Sequence, residues 1–143
     1  MEKLTVLALL WHFGLGNKQD YCALLDSIFL KAPKDELLLE LENRTGDSAE
    51  TVALLYDLPD GTLDRFEFGR ELFTRLEAFL DSGVMPQQEF AERCFGLWDE
   101  LPKQILRMKD PFDTLFYAHE MSDDSKKQRD FLQYAFDYYK EKP

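Results

Sequence analysis

Along almost the whole chain, apolar residues recur three and four positions apart, the period of a helix that buries one face. Leu4, Leu7, Leu10 and Trp11 open a first such segment, which Gly14 and Gly16 end. Tyr21, Leu24, Leu25, Ile28 and Phe29 form the stripe of a second. Pro33, with Asp35 and Glu36 beside it, predicts a third helix that begins near the proline and carries Leu37, Leu38 and Leu41. Ser48, Glu50 and Thr51 read as the start of a fourth, with Val52, Leu55 and Tyr56 facing inward. Pro59-Asp60-Gly61 is a turn.

The clearest amphipathic run follows, over about Leu63 to Asp81, closed by Ser82-Gly83. Pro86 starts another, with Phe90, Cys94, Leu97, Trp98 and Leu101. Pro102 and Pro111 bracket what reads as a short helical piece, and Phe112, Leu115, Phe116 and His119 belong to the next helix. Ser122-Asp123-Asp124 is a capping cluster ahead of a last helix through Phe131, Tyr134, Ala135 and Tyr138. No run alternates in the manner of a strand. The pattern predicts an all-α, single-domain bundle of about seven or eight short-to-medium helices spanning residues 1–143.

Composition agrees with a folded core: 45% of residues are hydrophobic and 14% aromatic, more than disordered chains carry. Leu4 to Phe13 is apolar enough to raise the question of a signal peptide, but Glu2 offsets Lys3, and Trp11 and His12 interrupt the run. A buried first helix is the expectation. Cys22 and Cys94 lie far apart, each within an amphipathic segment, so reduced thiols are expected rather than a disulfide, and with them a cytoplasmic location.

Charge changes the picture more. The chain carries 28 acids against 17 bases, a net −11. That balance disfavours nucleic acid and anionic membranes, which are held by Lys and Arg. Between Asp35 and Glu67 stand ten acids and two bases, a net −8 in less than a quarter of the chain. Such a field steers basic partners toward it. The expected contact residues are Glu40, Glu42, Asp57, Asp60, Asp64 and Glu67, with Tyr56 and Phe66 as aromatic anchors.

Candidate chemistry is otherwise sparse. Asp60-Gly61-Thr62-Leu63-Asp64-Arg65-Phe66-Glu67-Phe68 resembles the second half of an EF-hand calcium loop. In that resemblance Asp60 takes the fifth loop position, Gly61 the sharp turn and Glu67 the last, bidentate position. The first and third positions, which need hard oxygen ligands, hold Tyr56 and Leu58. His119-Glu120 resembles the opening of a zinc-protease motif, but Asp123 stands where its second histidine belongs. No nucleophile elbow or phosphate loop occurs, and no metal site or cofactor is expected.

The leading expectation is a non-catalytic, acidic protein-binding module. Its most concrete form is an inhibitor or immunity-type protein, an antitoxin that neutralises a basic partner such as a toxin or nuclease. One alternative is a structural or regulatory subunit that self-associates through exposed aromatics of the last helix, Tyr138 and Tyr139. A carboxylate-based enzyme is another, which would need acids gathered in one concave pocket with raised pKa values. A degenerate calcium sensor is the last.

Overall fold

The computed structural model describes residues 1–140. Eight α-helices and no strand occur among the described residues: α1 (Glu2–His12), α2 (Lys18–Lys31), α3 (Glu36–Glu42), α4 (Ser48–Tyr56), α5 (Arg65–Asp81), α6 (Gln87–Asp99), α7 (Asp113–Glu120) and α8 (Ser125–Tyr138). The all-α bundle expected from the periodicity is present.

Short polar side chains decide where five of these helices begin. Asn17, Asp35, Asp47, Asp64 and Asp124 each accept a hydrogen bond from the backbone N–H three residues on. Each satisfies a donor that the first helical turn leaves without a partner, a contribution of about 1 kcal/mol. This shifts two expected starts. The third helix begins at Glu36 behind the Asp35 cap, not at Pro33, and Ser48 is the first helical residue while Asp47 caps.

α1 is the central element rather than one more amphipathic helix. Leu4 through Leu10 are all buried, with Thr5 among them. The Thr5 hydroxyl donates to the Met1 carbonyl at 2.8 Å, so its burial strands no polar group. α1 packs on α2, α4 and α5, and α3 lies on α2. A second group, α6 to α8, packs mutually, and α5 joins the groups through α8. Rings fill that junction: Phe73 lies 5.6 Å from Phe112 and 6.3 Å from Tyr139, centroid to centroid.

The junction depends on one glycine. A Cβ at Gly69 would come within 2.2 Å of the Tyr139 ring, so the bare backbone of α5 is what admits that ring. Tyr139 is only 4% exposed. Its expected place on an outer, self-associating surface therefore gives way to a place in the core, and Tyr138 is half-buried.

The stretch between Pro102 and Pro111 is a chain of turns, not a helix. Local turn bonds such as Ile105 N–H to the Pro102 carbonyl hold it, and further hydrogen bonds run to other elements. The Lys103 N–H donates to the Tyr56 carbonyl, the Gln104 side chain reaches the Leu58 and Pro59 carbonyls, and the Trp98 indole donates to the Arg107 carbonyl at 2.8 Å. Pairing of that kind replaces the local ladder a helix would need. Among the described residues no helix is long and apolar enough to cross a membrane.

Candidate functional site

The acids singled out by the sequence fall into two places. Glu40 and Glu42 stand on α3. Glu40 is exposed and unpaired among the described residues, whereas Glu42 is half-buried against Asp26 of α2. Burial and that neighbouring carboxyl push the Glu42 carboxyl above the usual carboxylate range.

Asp57, Asp60, Asp64 and Glu67 belong to the α4–α5 turn and the first turn of α5, and all four are exposed. Asp57 lies 3.5 Å from the Lys103 ammonium and Glu67 lies 3.7 Å from Arg70. Asp64 is fixed by its capping bond to the Glu67 N–H at 2.9 Å, and its own N–H donates to Glu2 at 3.0 Å. Asp60 has no ion-pair partner among the described residues. Tyr56 and Phe66 are 39% and 51% exposed, so both expected anchors reach the surface, and Tyr56 does not join Val52 and Leu55 in facing inward.

The turn has the local form of a capped helix start. Gly61 holds the left-handed conformation at φ +85°, Leu63 is buried, and its N–H donates to Gln104 at 3.1 Å. No cluster of three metal-binding side chains occurs among the described residues.

From this turn the structure leads to a place the sequence did not single out. Arg65, the residue after the Asp64 cap, donates to the Asp110 carbonyl at 2.7 Å and lies over the Phe112 ring at 5.6 Å. Asp110 is a wall of a cavity of about 530 Å³ between α7 and α8. Asp113, Thr114 and Tyr117 of α7 and Asp130, Phe131 and Tyr134 of α8 supply the other walls. The Tyr134 hydroxyl donates to the Asp110 carboxylate at 3.3 Å. Tyr117 and Tyr134 are 40% and 50% exposed, so the rim is aromatic and open to solvent.

Electrostatically the cleft is unbalanced. Asp113 Oδ1 is out of contact with water and accepts no hydrogen bond. Burial first, and then the Asp110 carboxylate beside it, raise the affinity of Asp113 for its proton. Hydrogen bonds from the backbone N–H groups of Asp113 and Thr114 act the other way. The net shift is upward, so burial and carboxylate repulsion outweigh them. Arg65, beside the cleft, is engaged by the Asp110 carbonyl and the Phe112 ring.

A second, smaller cavity of about 360 Å³ lies where the 101–112 loop meets Tyr56. Leu106 and Met108 on its lip are each about half exposed, at 51% and 54%. Elsewhere, His12 Nδ1 lies 2.8 Å from the Ser48 hydroxyl and Nε2 lies 3.6 Å from Glu100. The order resembles a nucleophile–base–acid relay, but 3.6 Å is beyond a hydrogen bond. The trio ties the ends of α1 and α6 to the start of α4. His119 packs edge-on to Phe95 at 4.7 Å. Cys94 is fully buried, which pushes its thiol pKa up, and Cys22 is half-buried; both are free thiols.

Comparison with protein-family models, with curated proteins and with solved structures finds no match.

Proposed function

We propose that this chain is a non-catalytic, acidic protein-binding module that holds a basic protein partner, as an inhibitor or immunity-type protein holds a toxin. The observation that supports this reading is continuity. The exposed acids of the α4–α5 turn run through Arg65 and Asp110 into a cleft of three aspartates and three aromatic rings. Stable interfaces combine a steering field with aromatic anchors near the centre of the patch. Here the field comes from Asp57, Asp60 and Asp64, and the anchors are Tyr56, Phe66, Tyr117 and Tyr134.

The test is capture from native lysate with the tagged protein, washed at about 50 mM and about 300 mM salt, where exposed charge pairs are screened strongly. One basic protein, retained at low salt and lost progressively at high salt, is the expected result. Its retention must also fall in the Asp60→Lys/Asp64→Lys variant. Capture that ignores both salt and the charge reversal overturns the reading.

A carboxylate-based enzyme is the second reading, favoured by one observation. Asp110 and Asp113 stand together in a cavity, and the pKa of Asp113 is raised. Paired carboxyls that share a proton act as an acid and a base in hydrolysis. Turnover of a peptide or glycoside panel with a bell-shaped pH profile, abolished by Asp113→Asn, would favour it.

A further inference from the structure

We infer that the α7–α8 cleft is the seat of an arginine side chain supplied by the basic partner. This deepens the binding-module reading and rests on it.

The argument starts from shape. A cavity of about 530 Å³ is at the scale of small-ligand sites and admits one long side chain together with its flanking backbone. Phe131, Tyr117 and Tyr134 line the space with aromatic rings, the groups on which a planar guanidinium stacks. Asp110, Asp113 and Asp130 offer carboxylates around the same space. Asp113 is half-buried among them, and its carboxyl stands beside that of Asp110.

The chain itself shows the recognition in miniature. Arg65 lies over Phe112 while it donates to Asp110, and Arg107 lies 4.8 Å over Trp98 while it donates to Asp99. Both pair a ring face with an oxygen acceptor, which is what the cleft offers to a visitor.

Arginine is favoured over lysine by the same geometry. A planar fork of N–H donors can stack on a ring and reach two carboxylates at once, whereas an ammonium is a compact, strongly hydrated point charge. The cleft also lies beside the acidic turn, through the Arg65–Asp110 contact, so a basic surface drawn to Asp60 and Asp64 arrives next to it.

The experiment is an NMR titration of the intact protein with N-acetyl-argininamide, its neutral citrulline isostere, and agmatine. The arginine probe should shift the resonances of Tyr117, Phe131 and Tyr134 and leave the Asp60 amide still. The citrulline probe should bind on the order of tenfold more weakly, as should the arginine probe to Asp113→Asn or Asp130→Asn. Equal shifts with citrulline, no shift at the three rings, or shifts that survive both Asn variants overturn the proposal. Agmatine bound on the order of tenfold more tightly than N-acetyl-argininamide also overturns it, because the occupant would then be a free amine. Capture of a basic partner does not enter this measurement. A cleft that ignores arginine, with partner binding intact through Asp60 and Asp64, refutes this inference alone.

Discussion

The α4–α5 turn and the α7–α8 cleft carry the same sign of charge in different settings. The acids of the turn are close together in sequence and exposed. The cleft is concave, and its acids come from a loop and two helices and stand against aromatic rings. Exposed charge is screened and acts mainly at a distance, as steering. In the cleft Asp110 and Asp130 are exposed too, but Asp113 is partly desolvated, and a carboxylate there without a cation costs more. The turn is therefore suited to the rate of encounter, and the cleft to the lifetime of the complex.

The largest expected effect comes from removing what joins the two. Phe112 is fully buried, in ring contact with Phe68 and Phe73, and Arg65 lies over it. Phe112→Ala leaves a cavity behind Asp110 and should destabilise the fold by about 3–5 kcal/mol. Denaturant unfolding measures this. A loss under about 1 kcal/mol would mean that the two regions do not share a core.

Next comes the charge reversal. Asp60→Lys/Asp64→Lys should weaken the basic partner roughly ten- to hundredfold at low salt, mostly through a slower association rate. Tyr134→Ala should instead act on the dissociation rate, since it strips a ring from the cleft. Surface plasmon resonance at two salt concentrations separates the pair. Parallel effects on both rates from both variants would erase the distinction between steering and anchoring.

A smaller effect divides two roles within one residue. Asp64 caps α5 and also contributes charge. Asp64→Asn keeps a capping oxygen and loses the charge, whereas Asp64→Ala loses both. The Asn variant should keep the melting temperature and bind less well, and the Ala variant should also lose about 1 kcal/mol of stability. Matching melting temperatures for the two would show that the cap contributes nothing.

These residues mark what was legible in the sequence. The helices were, because their signals are local: a period near four, a capping Asp or Asn, a glycine at the end. So was the charge of the turn, because its acids are neighbours in the chain. The centrality of α1 could have been read from Leu4 to Leu10, an unbroken buried run instead of one stripe. The 101–112 loop could not, since its partners, such as Tyr56 and Leu58, lie more than forty residues away. The cleft was hidden for the same reason. Asp110, Asp113 and Asp130 each look like a solvated acid until two helices and a loop bring them round one space. Asp110 and Asp113, at helical spacing beside Phe112, were the only local hint. Tyr139 erred the other way: counting rings on α8 predicted exposure, but Gly69 on another helix opens the space that buries it.

The smallest effect is also the sharpest test of the cleft's electrostatics. The folded state raises the pKa of Asp113 above its ordinary 3.8, by burial and by the Asp110 carboxylate. A carboxyl that holds its proton more tightly when folded favours folding while it stays protonated, below its unfolded pKa. That contribution is lost as pH rises through the folded pKa. At neutral pH the ionised Asp113 is thus a standing cost that the rest of the cleft must carry. Asp113→Asn removes the titration and keeps a polar side chain of the same shape. The variant should be more stable than the parent at pH 7, and the difference should shrink as pH falls through the raised pKa toward about 3. Chemical unfolding of both proteins across that range reads it directly. A difference of the same size at every pH would mean that Asp113 does not titrate in the folded protein with a raised pKa. The cleft would then lack the charge imbalance that an incoming cation relieves.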